Sequence, residues 1–201
     1  MTHTVEGLAT HELETRKSRF VALAGAVQTP EEALDFFARY SVADATHNCW
    51  AYKIGQAYRF NDDGEPGGTA GRPILQAIEG QECDQVAVLV VRWFGGIKLG
   101  PGGLVRAYGG VAAECLRLAP KVRLIDEISV DCHCGFGEMA MLQSRFASFG
   151  TRIIGETFDE HGVRWRLAVE RSQEPGLAQF FTNLTRGRGL WRVVDVADVR
   201  Q

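Results

Sequence analysis

The strongest chemical signal in the chain is a glycine-rich segment between a predicted strand and a predicted helix. It runs from Trp93 to Arg106 and contains two glycine pairs, Gly95-Gly96 and Gly102-Gly103. Glycine lets a ligand approach the main chain, and the N–H groups at the start of a helix attract anions. Lys98 adds positive charge within the segment. The segment predicts phosphate or carboxylate binding, with a tight turn between packed elements as the alternative, because the P-loop and dinucleotide-binding spacings are both absent.

A second polar segment follows a predicted β-hairpin and is too rich in glycine to be the interior of a helix or strand. It places Asp62, Asp63 and Glu65 close together, shortly before Thr69. Carboxylate oxygens suit a divalent cation, although the ligand spacing of an EF-hand is missing. The same carboxylates can instead pair with nearby arginines and hold the loop in shape, or form a solvated acidic turn.

A histidine and a cysteine lie two residues apart on the strand before that loop. In a strand, His47 and Cys49 point to the same face, which suits a thiolate nucleophile activated by a base. A buried structural pair is the alternative reading. No second set of metal-type ligands lies nearby, so zinc is not indicated. The sequence predicts no catalytic set, no metal and no cofactor.

The elements that must position these segments alternate between strand and helix. Arg19–Val27 is predicted to be a strand, and Thr29 is predicted to cap a helix that begins at Pro30. The hairpin is predicted over Cys49–Ile54 and Ala57–Phe60. A helix with Pro73 in its first turn, a buried strand over Gln85–Trp93 and a long helix over Leu104–Leu118 follow.

The second part of the chain has a simpler order. Strands are predicted over Val122–Cys132, Thr151–Phe158, Val163–Arg171 and Leu190–Val199, with helices over Glu138–Phe149 and Pro175–Thr185. This βαββαβ order suggests a ferredoxin-like unit, in which two helices cover one face of the sheet. The other face is then free for a protein partner. We therefore predict an α+β protein with domains at residues 1–120 and 121–201.

Composition restricts the class of protein further. The chain has 201 residues, 45% of them hydrophobic, and a net charge of −3, which argues against a generally basic nucleic-acid binder but leaves room for a local basic patch. No stretch approaches the apolar length of a membrane span, and the start of the chain has no pattern of a secretion signal. The 5 cysteines include no CxxC pair and indicate reduced thiols in a cytoplasmic protein.

Four segments together resemble the signature motifs of the IMPACT/YigZ family. They are Lys17–Phe20, Ala45–Tyr52, Asp62–Leu75 and Val91–Gly109, and the resemblance covers most of residues 15–115. It implies a first domain like domain 2 of ribosomal protein S5 and domain IV of elongation factor G, followed by a ferredoxin-like domain. Eukaryotic relatives regulate translation under stress, but they carry an additional N-terminal domain for partner binding. Within the loop, Pro101 removes one N–H donor from a backbone anion site.

Two functional hypotheses follow. In the first, the chain is a non-enzymatic, translation-associated binding protein that contacts RNA or the ribosome through a set of loop and helix residues: Arg72, Arg92, Gly95, Gly96, Lys98, Gly102, Gly103 and Arg106. In the second, it is an enzyme or small-ligand-binding protein with an anion pocket between the two glycine-rich loops, built from His47, Asp62, Asp63, Glu65, Thr69 and Lys98. A protein-interaction module with purely structural loops is a third possibility. An RNA platform requires an exposed basic face, whereas an enzyme or ligand site requires convergence in a cavity.

Overall fold

The computed structural model of the chain describes residues 2–194, and these form two compact units that divide between Leu124 and Ile125. The first unit contains strands β1 (His3–Val5), β2 (Ala9–Thr15), β3 (Ser18–Ala26), β4 (His47–Ile54), β5 (Ala57–Asn61), β6 (Val86–Trp93) and β7 (Lys121–Arg123), with helices α1 (Pro30–Tyr40), α2 (Gly71–Gly80) and α3 (Pro101–Leu118). The mixed helix and strand content confirms the predicted α+β class.

The first unit is a five-stranded antiparallel sheet with helices on both faces. The strand order is β2-β3-β6-β4-β5. Helix α1 packs against alternate residues of β6, including Leu89 and Val91. Helices α2 and α3 pack on the other face, against Val88 and Val90. Since both faces of β6 are covered, its residues form an uninterrupted apolar run rather than an alternating one.

The alternation along β6 also places the next polar side chain. Val88, Val90 and Arg92 occupy every second position, so they share the face that α2 and α3 cover. Arg92 pairs in register with Phe20 on β3 and with His47 on β4. The strand order therefore brings a cation to the point where β3, β4 and α3 meet.

Helix α3 begins three residues earlier than predicted. The prediction assigned Pro101-Gly102-Gly103 to the loop, but the helix starts at Pro101, directly after Gly100. The first N–H groups of a helix have no partner within the helix, so proline in the first position removes no intrahelical bond. Pro101 is therefore part of the helix start, while Gly100 adopts a φ of 74° that glycine tolerates.

The prediction of one strand over Val122–Cys132 is wrong. Lys121–Arg123 forms β7, which pairs with β1, and a separate strand begins at Glu127. Strands β1 and β2 were not predicted. The pairing of β1 with β7 joins the start of the unit to its end, a distant contact that local sequence patterns do not report.

The second unit has strands β8 (Glu127–Cys134), β9 (Arg152–Asp159), β10 (Gly162–Glu170) and β11 (Leu190–Val194), with helices α4 (Phe136–Ser148) and α5 (Glu174–Thr185). Its antiparallel sheet has the order β11-β8-β10-β9. Both helices contribute to one core, where Phe146 and Phe181 are buried with Trp165. Residues 195–199 of the predicted last strand lie outside the described residues.

Candidate binding pocket

A buried ion pair lies where the acidic loop, β6 and α3 meet. Glu65 comes from the loop between β5 and α2, and its side chain is 4% exposed. Its Oε1 atom pairs with the guanidinium of Arg92 and accepts a hydrogen bond of 2.7 Å from the Tyr108 hydroxyl. Removing two charges from water is costly unless they are paired and hydrogen-bonded. The shared acceptor therefore fixes three distant segments of the chain at one point.

The arginine of this pair is held from several sides. Its guanidinium lies 5.4 Å from the ring centroid of Phe20 and 5.5 Å from that of Phe94. Ser18 Oγ accepts from an Arg92 terminal nitrogen at 3.4 Å, while the buried Nε has no partner among the described residues. Arg92 was predicted to contact RNA or an anion. In the structure its charge is paired with Glu65 inside the protein, and its contact with a ligand stays a prediction.

His47 lies beside the same carboxylate. Its Nδ1 atom is 2.7 Å from the main-chain oxygen of Asp63, and a carbonyl oxygen only accepts hydrogen bonds. Nδ1 therefore carries a hydrogen, and the other ring nitrogen, Nε2, lies 3.8 Å from Glu65 Oε1. This assignment leaves Nε2 as the ring atom that faces the ion pair.

The remaining polar residues of the acidic loop hold the loop itself. Asp62 accepts from the amides of Gly68 at 2.8 Å, Ala70 at 3.0 Å and Gly71 at 2.8 Å, and so satisfies N–H groups at the start of α2. Asp63 accepts from the amide of Asn48, and the Thr69 hydroxyl donates to a main-chain carbonyl at 2.6 Å. Of the predicted loop residues, only His47 and Glu65 line the cavity described below. No group of three or more His, Cys, Asp or Glu side chains that could hold a metal ion occurs among residues 2–194.

Cys49 does not have the properties of a nucleophile. Its side chain is buried, and Sγ donates to the main-chain oxygen of Asp62 at 3.0 Å. Burial raises the pKa of this thiol to about 12, so it stays protonated at neutral pH. Burial likewise raises the pKa of Tyr108, which keeps its hydroxyl available as a donor to Glu65.

A cavity of about 390 Å³ opens above the ion pair. Lys98, which is exposed, stands at its edge, and Gly100 and Pro101 bring the first turn of α3 to its wall. That turn has no side-chain cap and no acidic residue. The lining is completed by polar and apolar side chains: Thr46, His47, Glu65, Pro66, Arg92, Phe94, Leu99 and Leu104.

The predicted cations and glycines are divided between several places. Arg106 lines a neighbouring hollow, while Arg72 lies exposed in the first turn of α2 and lines neither cavity. Gly95 and Gly103 have a packing role, because a Cβ atom would lie 1.9 Å from the Lys17 oxygen or 2.9 Å from the Leu99 Cβ. Gly96 has a φ of 84°, and Gly102 occupies the exposed first turn of α3.

Two contributors to the site escaped the sequence analysis. Tyr108 lies one helical turn after Leu104 on the buried face of α3, so the sequence pattern predicts only a core residue there. The partner of its hydroxyl, Glu65, is distant in sequence. Ser18 looked like part of a family motif, yet its hydroxyl accepts from both Arg92 and the amide of Gly95. Only the folded structure reveals these partners, which lie 43 and more residues away.

Known protein families match the chain in both units. The model of the Impact N-terminal domain matches residues 16–116. The chain belongs to the IMPACT family. A relative from Thermus thermophilus, named as an IMPACT family member, is 48% identical and covers 88% of this chain and 97% of its own length. The IMPACT family member YigZ of Escherichia coli is 31% identical over 87% of this chain and 88% of its own length.

The second unit and the overall structure also have matches. A domain of unknown function, DUF1949, matches residues 132–188. A crystal structure of a hypothetical protein aligns with a TM-score of 0.64 at 28% identity, covering 97% of this chain and 98% of its own. All the pocket residues lie within the matched IMPACT-family domain. Among the described residues, no helix is long and apolar enough to span a membrane.

Proposed function

We propose that this chain is a non-enzymatic binding protein whose first unit holds a small ligand with an anionic group. The observation that supports this proposal is the convergence of Lys98 and the start of α3 over the buried pair of Glu65 and Arg92. These groups come from separate segments of the chain, and the cavity is within the size range of small-molecule sites.

The chemistry of the walls specifies the ligand class. A lysine ammonium and the N–H groups of a helix start both favour an anion. The carboxylate of Glu65 does not repel an anion strongly, because Arg92 compensates its charge. Phe94, Leu99 and Leu104 offer apolar contact for the rest of the ligand. A phosphorylated or carboxylated molecule with an apolar portion meets these requirements.

The arrangement favours binding over catalysis. A general base needs a free lone pair within reach of the proton that it removes. Glu65 Oε1 already accepts from Arg92 and Tyr108, and Cys49 remains a buried thiol. His47 Nε2 and Glu65 Oε2 are the remaining candidate bases, and Arg92 holds the Glu65 carboxylate in an ion pair. We therefore assign Glu65 to shaping the pocket and His47 to contacting the ligand.

The translation-related role implied by the family resemblance remains a prediction. The cations among its proposed RNA contacts were Arg72, Arg92, Lys98 and Arg106, and the structure does not gather these four on one exposed face, since Arg92 is buried. Contact with a protein partner through the second unit also remains a prediction. There, α4 and α5 share a core with one face of the sheet, while Arg164, Arg166 and Arg192 lie exposed near Asp131.

The fold relationships named from the sequence are part of the proposal as well. The βαββαβ order and the β11-β8-β10-β9 sheet support a ferredoxin-like second unit. The five-stranded sheet with α2 and α3 on one face supports the relation of the first unit to domain 2 of ribosomal protein S5. Neither relation determines function, because functions differ widely among proteins that share a fold.

The proposal is tested by thermal shift and calorimetric titration with three probes: adenosine 5′-monophosphate, glucose 6-phosphate and citrate. At least one should bind at low ionic strength, and Lys98→Ala should weaken it by about tenfold or more, as expected for the loss of a charged hydrogen bond. Arg39→Ala on α1 is the matched control, since α1 packs on the opposite face of the sheet. Equal binding by Lys98→Ala, or no binding of any probe, would contradict the proposal.

A further inference from the structure

The cations next to the pocket indicate a longer ligand than the pocket alone can hold. We propose that the first unit binds single-stranded nucleic acid, with one nucleotide in the pocket and the following phosphates on a basic surface beside it. The basic surface consists of Arg16, Lys17, Lys98 and Arg106. This inference rests on the proposed function, because it uses the same pocket.

A second hollow lies beside the pocket. It has a volume of about 380 Å³, and Arg16, Arg106 and Glu14 line it together with Gly103. Leu99 lines both cavities, so they adjoin at the beginning of α3. A ligand that fills the pocket and extends past Leu99 therefore meets two arginines.

The tip of the β2–β3 hairpin has an unusual composition for its shape. Arg16 and Lys17 form its two-residue turn with φ values of 47° and 64°. Such turns usually contain asparagine or glycine, because other residues are strained at positive φ. Here both positions carry long cationic side chains.

The hairpin tip is attached to the glycine-rich loop. Gly95 lies so close to the Lys17 carbonyl that no side chain fits there, and its amide donates to Ser18 Oγ at 3.2 Å. Arg16 donates to the main-chain oxygen of Lys98 at 3.5 Å. Two segments that are far apart in sequence thus bring their cations to the same place beside the pocket.

These charges are available to a partner. Among residues 2–194, no carboxylate lies within ion-pair distance of the four cations of the basic surface, all of which are exposed. Within the described part of the chain, Glu14 is the single carboxylate that lines the second hollow. The chain as a whole has a net charge of −3, so the basic surface is a local concentration of positive charge.

Exposed apolar side chains beside the cations favour nucleic acid over an acidic protein. Phe94 is 45% exposed and Ile97 is 43% exposed, and both lie in the same loop as Lys98. Proteins that bind single strands combine a basic groove with aromatic rings on which bases stack. A base on Phe94 with its phosphates along the basic surface uses both features.

The test is fluorescence anisotropy with labelled oligouridylate and oligothymidylate of about ten nucleotides, compared with adenosine 5′-monophosphate. Arg16→Gln and Arg106→Gln are the test variants, and Arg39→Gln is the control. With about four phosphate contacts, affinity should fall about 50-fold between about 50 and about 200 mM salt. Each test variant should weaken binding of the oligonucleotide and leave binding of the mononucleotide unchanged.

The outcomes separate the two proposals. If the mononucleotide binds in a Lys98-dependent manner but the oligonucleotides bind no tighter, or bind equally to both arginine variants, this inference is overturned and the small-ligand proposal stands. If polyglutamate of equal charge binds as tightly through the same arginines, the surface belongs to an acidic protein instead. If neither the mononucleotide nor the oligonucleotides bind, this inference is overturned, and the titrations with glucose 6-phosphate and citrate decide the small-ligand proposal. Preference for one oligonucleotide would identify RNA or DNA as the strand.

Discussion

At the scale of single residues, the central feature is one carboxylate oxygen that serves three partners. Glu65 Oε1 pairs with Arg92, accepts from Tyr108 and lies 3.8 Å from the His47 ring. The loop of Glu65, the strand of Arg92 and the helix of Tyr108 are separated by many residues in the sequence. The predicted roles of Glu65 and Arg92 were ligand contacts, because sequence reasoning has no means of pairing charges across the fold. In the structure the two side chains pair with each other at the floor of the pocket.

The first prediction concerns this pair. Glu65→Gln keeps the shape of the side chain but leaves the buried Arg92 charge uncompensated, so the free energy of unfolding should fall by about 3–5 kcal/mol. Urea unfolding followed by circular dichroism measures the change. Glu12→Gln is the control, since it removes a carboxylate from an exposed pair with Arg19 and should leave the midpoint unchanged. Equal effects of the two substitutions would show that burial of the Glu65 pair is unimportant.

A second prediction concerns the buried thiol behind the pocket. Burial raises the pKa of Cys49 from 9.0 to about 12, so the folded state holds the thiol proton more tightly than the unfolded state does. The resulting stabilisation is complete below the unfolded pKa and is lost as pH rises towards the folded value. The midpoint of urea unfolding should therefore decrease above pH 9, and it should decrease less in the Cys49→Ala variant. An identical decrease in the variant would exclude a contribution from Cys49.

At the scale of elements, loop attachments decide the shape of the site. The hairpin tip rests on Gly95, and the start of α2 is held by Asp62. The sequence predicted the β4–β5 hairpin and the Thr29 cap of α1 well, because these depend on neighbouring residues; the Thr29 side chain accepts from the Glu32 amide at 3.2 Å. It failed where an element depends on a distant partner, as β7 does on β1.

The third prediction tests the attachment of the hairpin tip. In Gly95→Ala, the new Cβ would lie 1.9 Å from the Lys17 oxygen. This oxygen is a main-chain atom, so it cannot move away by a change of side-chain rotamer. We expect a loss of about 2–3 kcal/mol in the free energy of unfolding, together with weaker ligand binding. Gly110→Ala in α3 is the control, because a Cβ there meets nothing within 4 Å. It should stabilise the chain by about 0.5–1 kcal/mol. If Gly95→Ala were as stable as Gly110→Ala, the close packing of loop and hairpin would be contradicted.

At the scale of the whole molecule, all the proposed binding features belong to one of the two units. The first unit contains the pocket, the basic surface and the matched IMPACT-family domain. The second matches a domain of unknown function and presents an arginine-bearing sheet. A net charge of −3 argues against a generally basic binder. Net charge cannot report that the β2–β3 turn, the loop before α3 and α3 itself bring four cations close together, because the fold produces that arrangement.

The most direct test of the pocket is a titration of the isotopically labelled chain with adenosine 5′-monophosphate, followed by amide chemical shifts. We expect the shifts to concentrate at Thr46 and His47, at Glu65, and from Lys98 to Leu104, and we expect Lys98→Ala to diminish them. The amides of α1, on the other face of the sheet, should not move. Shifts confined to the second unit, or an unchanged spectrum at saturating ligand, would contradict the assignment of the binding site to this pocket.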